Sequence, residues 1–189
     1  LIATNAEYIE ILLFEKGDSV APKKVFKLDD IHKTGSYWHA EINNLKEGSI
    51  YAFRIKQKDN ELNKNYSKTV LIDPCSRGIT GWGKYKRKNA LKNIDNIDCC
   101  LKSVVCDRKL FNFIDFPRPK HSWKETIIYE LHIKAFTQSS NQEESSFKKF
   151  LNKIPYLKEL GITTIELLPV FCFDPNDAPN GLENFWGYS

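Results

Sequence analysis

The chain has 189 residues, of which 41% are hydrophobic and 28% are charged, and its formal net charge is +4. No basic run is interleaved with aromatic residues in the way that a nucleic-acid groove would need, and no apolar stretch is long enough to span a bilayer, so we expect neither a nucleic-acid partner nor a membrane partner. The length suits one large domain, or one small domain followed by part of another.

The cysteines and histidines do not form the pattern of a metal site. The five cysteines are odd in number, include no Cys-x-x-Cys pair, and occur at Cys75, Cys99, Cys100, Cys106 and Cys172. A complete disulfide framework or a structural zinc site would need a different pattern. We therefore expect reduced thiols, no metal and no cofactor.

The chain contains no methionine and begins at Leu1, in what reads as the approach to a strand. We therefore expect a piece of a longer protein. Because no window has the apolar length of a membrane span and the start does not have the pattern of a signal peptide, we expect the protein to be soluble and intracellular. The sequence leaves the oligomeric state open.

Residues 1–77 contain short segments in which apolar and polar residues alternate. These segments, residues 8–14, 24–28, 37–42 and 50–56, are separated by turn-like sequences that contain glycine, lysine and serine. Short alternating segments at regular spacing predict an antiparallel β-sandwich. The polar segment 60–68 predicts a surface loop.

Residues 78–123 predict an irregular connection between two domains. The connection carries Trp82 and a basic run at residues 84–88, which suits a solvated loop better than an anion site. We expect residues 111–121 to be extended, because Pro117 and Pro119 exclude a regular helix there.

The C-terminal part predicts a strand, a helix and a second strand. Residues 126–133 and 163–170 are apolar runs that are short enough for buried strands. The helix between them has apolar residues at a spacing of three or four, at Phe147, Phe150, Leu151, Ile154, Leu157 and Leu160. Ser145 or Ser146 is expected to cap the helix and Gly161 to end it, while Pro155 should split it near Ile154. This βαβ pattern fits both a doubly wound sheet and a (β/α)8 barrel.

Three ordered motifs in this part resemble the opening of the catalytic barrel in the α-amylase superfamily. They are Ile128-Tyr-Glu-Leu-His132 with Ala135-Phe-Thr137, the run from Lys153 to Val170 that ends in Ile-Glu-Leu-Leu-Pro-Val, and Asn184-Phe-Trp-Gly-Tyr188. Within the superfamily, the chain is most similar to isoamylase-type glycogen debranching enzymes.

The first part resembles the immunoglobulin-like glycogen-binding module that precedes the barrel in isoamylases and branching enzymes. The residues that carry this resemblance are Asn5-Ala6, Trp38-His39, Leu45-Lys-Glu-Gly48, Tyr51-Ala-Phe-Arg-Ile55 and Leu71-Ile-Asp-Pro74. Cys75 departs from the family pattern, which usually has an aromatic residue at that position.

The resemblance implies a multidomain protein. Residues 1–77 would be an all-β, immunoglobulin-like glycogen-binding sandwich, residues 78–123 the connection, and residues 124–189 the first strand, helix, second strand and following loop of a (β/α)8 TIM barrel. The implied activity is hydrolysis of the α-1,6 branch points of glycogen or starch. The implied partner is an α-glucan, and the implied location is the bacterial cytoplasm or the plastid stroma.

The catalytic carboxylates of the superfamily come from barrel strands four, five and seven. The resemblance therefore assigns no catalytic residue to this chain, and we expect the chain to be inactive by itself. Two alternatives stay open: a glucan branching or trehalose-forming relative, and a non-catalytic glucan-binding protein.

The resemblance also implies where glucan would be bound. Tyr188 matches the tyrosine that stacks under the glucose unit next to the cleaved bond, and Trp186 and Asn184 would shape the same loop. In the module, Trp38 or Trp82 is a candidate for stacking on a sugar face, although a tryptophan in an alternating strand is more often part of the core.

Two glutamates in the predicted strands, Glu130 and Glu166, invite a catalytic interpretation, because glycoside hydrolysis uses two carboxyl groups. They lie within the strands rather than beyond the strand ends, where a (β/α)8 site is built. We instead expect them to lie side by side in a buried polar network that involves His132.

Overall fold

The computed structural model describes residues 1–58, 68–92, 94–107, 116–138 and 145–188. These residues belong to two compact units, Leu1–Asn112 and Phe113–Ser189. Most of the loop predicted at residues 60–68, and residues 111–115 of the predicted extended segment, lie outside the described residues.

The regular secondary structure of the first unit is mainly β-strand. The strands are β1 (Ala6–Phe14), β2 (Lys24–Leu28), β3 (Lys33–Thr34), β4 (Tyr37–Trp38), β5 (Ile50–Gln57), β6 (Val70–Leu71), β7 (Gly78–Thr80) and β8 (Lys102–Val104). A short helix, α1 (Arg87–Ala90), lies between β7 and β8. All strand pairs in this unit are antiparallel, which confirms the predicted class of the N-terminal domain.

The main sheet of this unit has six strands in the order β2-β1-β5-β8-β7, with β6 also paired to β5. Because side chains alternate across a sheet, its two faces bury two different clusters. Leu12, Phe14 and Ala52 pack with Val70 and Cys100 on one face. Ile9 and Leu28 pack with Ala6 and Trp38 in the other cluster, beneath the small β3-β4 ladder. The result is a sandwich-like domain in which the second layer is small.

Two features of the first unit differ from the sequence prediction. The strand predicted at residues 37–42 is limited to β4, and residues after Trp38 are irregular. The predicted irregular connection contains β7 and β8, which extend the main sheet, and its Cys99 and Cys100 are buried. The connection therefore contributes to the first domain. Its strand β8 pairs with β5, and β7 pairs with β8, so these strands cover an edge that β5 would otherwise leave unpaired.

The second unit contains the predicted strand, helix and strand. Its elements are β9 (Ile128–Leu131), α2 (Ile133–Phe136), α3 (Ser146–Leu151), α4 (Ile154–Glu159) and β10 (Thr164–Leu167). β9 and β10 are parallel partners, as the βαβ prediction requires. Leu131, Ile133, Phe150 and Leu157 form the buried cluster between strands and helices.

The predicted division of the helix is confirmed. The Ser145 hydroxyl accepts a hydrogen bond from the Lys148 amide at the start of α3, and α4 begins at Ile154 with Pro155 in its first turn. An N-terminal turn tolerates proline because its amides have no partner within the helix. Gly161 follows α4 with a φ of +88°, a conformation that favours glycine.

In the part of the chain that the structure describes, no helix has the length and apolar character needed to cross a bilayer.

Candidate functional site

The candidate site lies where β9 and β10 end. Leu131 is the last residue of β9 and Leu167 the last of β10, and the two are register partners. Parallel strands therefore place the two following segments, which begin at His132 and Leu168, at the same edge of the sheet. In α/β proteins this edge is where ligands usually bind.

His132 connects the end of β9 to the segment that follows β10. Its Nδ1 accepts a hydrogen bond from the Ala135 amide over 3.2 Å and thereby caps α2. Its Nε2 lies 2.9 Å from the carbonyl oxygen of Phe185. Because a carbonyl oxygen only accepts, Nε2 must carry the proton, and these partners together specify the neutral Nε2–H tautomer.

Residues 184–188 form what we call the aromatic loop. Within it, the Phe185 ring stacks on His132 with ring centroids 4.3 Å apart and an interplanar angle of 11°. The Trp186 ring is nearly perpendicular to both, at 5.9 Å from His132 and 5.3 Å from Phe185. The Lys134 ammonium group lies 5.9 Å from the Phe185 centroid. These contacts fix the orientation of the first two rings of the loop.

Asn184 and Gly187 determine the path of the aromatic loop. The backbone N–H of Asn184 donates a hydrogen bond to the Pro175 carbonyl over 2.8 Å. The side-chain Oδ1 of Asn184 accepts one from the backbone N–H of Gly187 over 3.1 Å. Gly187 has a φ of +76°, and a Cβ at this position would lie 2.7 Å from the Phe173 ring. Both constraints require glycine at residue 187.

Two rings of the loop face solvent. Trp186 is 55% exposed and Tyr188 is 72% exposed. Flat aromatic faces that are open to water can stack on the apolar faces of sugar rings. Of the predicted site residues, Asn184, Trp186 and Tyr188 thus lie together on one short loop.

A cleft of about 410 Å³ lies beside the loop. Its walls are mostly apolar, and they are formed by His132, Ile133, Lys134, Ser146, Phe147, Pro169, Val170, Phe171, Phe173, Pro175, Glu183, Asn184 and Phe185. Lys134 and Glu183 supply the charged groups of this lining. Trp186 and Tyr188 are not among the lining residues.

The two strand glutamates are register partners, as predicted, but they are not buried. Glu130 and Glu166 lie opposite each other on β9 and β10, and both side chains are exposed. The prediction of a buried polar network with His132 is therefore wrong for both glutamates. The expectation assumed a closed barrel around them, whereas the described sheet of this unit has two strands and leaves their side open.

Trp38 does not present a ring to solvent. It is 2% exposed, and its indole N–H donates to the Ala3 carbonyl over 2.9 Å. The structure thus excludes Trp38 as a sugar platform and places it in the core of the first unit. Trp82 is half-buried at the edge of a separate cleft of about 570 Å³ that also includes Asp18 and Lys84.

The functional contact that the sequence did not predict is the one between His132 and Phe185. The position of His132 three residues before Ala135 is compatible with a helix cap. Its second partner, the Phe185 carbonyl, lies 53 residues further along the chain and leaves no local signal in the sequence.

Among the described residues, no group of three or more histidine, cysteine or acidic side chains is arranged to hold a metal ion.

Comparison with known proteins bears on the first unit directly. Residues 1–76 match the family model of carbohydrate-binding module 48, the isoamylase N-terminal domain. The module resemblance drawn from Trp38-His39 and the other N-terminal motifs is thereby confirmed.

The whole chain is also similar to longer bacterial proteins. It is 27% identical to the glycogen operon protein GlgX homolog of Haemophilus influenzae and 28% identical to a glycogen debranching enzyme of Cronobacter sakazakii, and each alignment covers 100% of this chain. The chain spans 29% and 30% of the length of these two relatives. The predicted resemblance to glycogen debranching enzymes is confirmed.

Solved structures share the fold over most of the chain. The catalytic module of the pneumococcal glycogen-degrading virulence factor SpuA matches with a TM-score of 0.67 at 20% identity, and the alignment covers 92% of this chain and 25% of that one. The pullulanase SAP of Group B Streptococcus matches with a TM-score of 0.66 at 20% identity, covering 92% of this chain and 22% of that one.

Proposed function

We propose that this chain is the N-terminal part of a glycoside hydrolase that acts on the α-1,6 branch points of glycogen or starch. Its carbohydrate-binding module 48 segment would be followed, from residue 124, by the first strand, helix and second strand of a (β/α)8 barrel. The observation that carries this proposal is the aromatic loop held at the carboxyl ends of two parallel strands. Active sites of (β/α)8 enzymes are built at that end of the barrel.

In this proposal the aromatic loop contacts the glucan. Tyr188 stacks on a glucose ring, Trp186 supplies a second aromatic surface, and Asn184 keeps the loop in shape through its bond to Gly187. The exposure of both rings and the constraint on the loop support this role, because a stacking platform must be open to the sugar and ordered before the sugar arrives.

The chemistry would come from groups outside this chain. A retaining glycosidase needs one carboxylate that attacks the anomeric carbon and a second that first protonates the leaving oxygen and then activates water. Glu130 and Glu166 lie within β9 and β10 and not beyond the strand ends, so we assign neither role to them. We accordingly propose that the chain by itself binds α-glucan without cleaving it, in the bacterial cytoplasm or the plastid stroma.

Calorimetric titration of the chain with maltotriose tests the binding role. We expect Tyr188→Ala to weaken the affinity severalfold, because the variant loses the stacking face. Tyr156→Ala is the matched control, because Tyr156 is also an exposed tyrosine, at 54%, but lies on α4 and outside the aromatic loop. Equal affinities for the wild type and Tyr188→Ala would refute the assignment of Tyr188.

A further inference from the structure

We propose that His132 is a positioning residue that fastens the aromatic loop to the end of β9 through its Nε2–H group. Its role as an aid to sugar binding rests on the proposed function, whereas the fastening itself rests only on the contacts around the ring. In this proposal the residue contacts the loop, and its effect on sugar binding is indirect.

The backbone on either side of His132 is held in place by the core. Leu131 and Ile133 are 5% and 7% exposed and belong to the same buried cluster. The bond from the Ala135 amide to Nδ1 then restricts rotation of the ring relative to α2. Contacts with β9 and α2, which do not involve the loop, therefore set the direction in which Nε2 points.

The opposite edge of the ring meets the loop. Nε2–H donates to the Phe185 carbonyl over 2.9 Å, and the Phe185 side chain covers the face of the same imidazole. Only the neutral Nε2–H tautomer can accept from Ala135 and donate to Phe185 at once. One ring thus joins two segments of the chain through two different nitrogen atoms.

Two hydrogen bonds of Asn184 have a different effect. The bonds of Asn184 to Pro175 and to Gly187 stay within the segment that follows β10. They define the shape of the loop but not its position relative to β9. The His132 bond supplies that position, and with it the place where Trp186 and Tyr188 are presented.

Three substitutions separate the functions of the ring. His132→Asn keeps an acceptor near the Nδ1 position, and thus the cap, but loses the donor at Nε2. His132→Gln places an amide donor near the Nε2 position but loses the cap. His132→Phe keeps an aromatic face for Phe185 and loses both hydrogen bonds. Each variant can be followed at two amides, Gly187 for the loop and Ala135 for the cap.

Amide hydrogen exchange of the 189-residue chain, without sugar, tests the proposal. We expect the Gly187 amide to exchange about fivefold faster in His132→Asn, the factor that corresponds to loss of one ordinary hydrogen bond. We expect it to stay close to the wild-type rate in His132→Gln, whose Ala135 amide should exchange faster instead. In His132→Phe both amides should exchange faster.

A maltotriose titration of the same variants separates this proposal from the proposed function. Affinity should fall in His132→Asn and be retained in His132→Gln. If the wild type binds no maltotriose but the exchange pattern holds, the proposed function fails while the fastening role stands. The proposal is overturned if Gly187 exchanges at the wild-type rate in His132→Asn, or if it is accelerated equally in His132→Asn and His132→Gln.

Discussion

Glu130 on β9 and Glu166 on β10 are direct register partners, so two exposed carboxylates lie opposite each other on neighbouring parallel strands. Like charges in this arrangement repel each other. We expect Glu166→Gln to raise the free energy of unfolding of the second unit by a few tenths of a kcal/mol at low ionic strength, and to have less effect at high salt. Urea denaturation at two salt concentrations measures both changes. Glu47→Gln in the first unit changes the net charge equally, and the same effect from both substitutions would contradict the pairing.

Trp38 is predicted to stabilise the core of the first unit and not to bind glucan. Trp38→Ala should lower the free energy of unfolding of the first unit by about 3–5 kcal/mol, because it leaves a large cavity in the core. Trp38→Phe should cost less, since it keeps part of the apolar volume and loses the bond to the Ala3 carbonyl. Urea denaturation of the wild type, Trp38→Phe and Trp38→Ala measures these differences in the free energy of unfolding. A folded Trp38→Phe variant that loses affinity for glycogen would contradict the structural role.

Asn96 is predicted to hold β6 in place. Its side chain is 2% exposed, its Oδ1 accepts from the Val70 amide over 2.7 Å, and its Nδ2 donates to the Val70 carbonyl over 3.2 Å. Asn96→Asp should destabilise the first unit by about 1–3 kcal/mol, because it replaces the buried donor with an oxygen that faces the Val70 carbonyl. Asn43→Asp makes the same chemical change at an exposed turn residue and should have little effect. Equal unfolding midpoints for the two variants would contradict this role.

Ionisation of Tyr51 is predicted to lower the free energy of unfolding of the first unit at alkaline pH. Burial and the adjacent Asp73 carboxylate, to which its hydroxyl donates over 2.7 Å, raise the pKa of Tyr51 from 10.0 to about 12. A raised pKa in the folded state means that the group contributes stability fully below pH 10.0, and that this contribution is lost as the pH rises through about 12. The difference in unfolding free energy between the wild type and Tyr51→Phe should therefore shrink over this range. A difference that does not change with pH would refute the linkage.

The second unit was the more predictable part of the chain. The apolar spacing from Phe147 to Leu160, the Ser145 cap and the position of Pro155 were sufficient to predict α3 and α4, because helix boundaries depend on local chemistry. The membership of Trp186 and Tyr188 in one loop came from the motif. The contacts of Phe185 and Trp186 with His132 at the end of β9 could not be predicted, because they join residues far apart in the chain.

The connection after residue 77 was misjudged for a physical reason. β7 and β8 are three residues each, too short for alternation to be recognised, and β8 begins with Lys102. A lysine usually indicates solvent, yet Lys102 is 1% exposed. Its Nζ donates to the Gly17 carbonyl over 3.0 Å and lies 4.8 Å from the Phe14 ring centroid. A buried charge with such partners is visible only once the distant segments have been brought together.

Native electrophoresis of the 189-residue chain through a gel cast with glycogen, followed by iodine staining, tests whether the chain binds α-glucan without cleaving it. The proposed function predicts retarded migration with no change of stain around the band, because under that proposal the chain binds glucan and the catalytic carboxylates come from groups outside it. Migration equal to that in a gel without glycogen would contradict glucan binding. A halo whose colour moves from brown toward blue would show that this chain debranches glycogen, and would contradict the placement of the chemistry outside it.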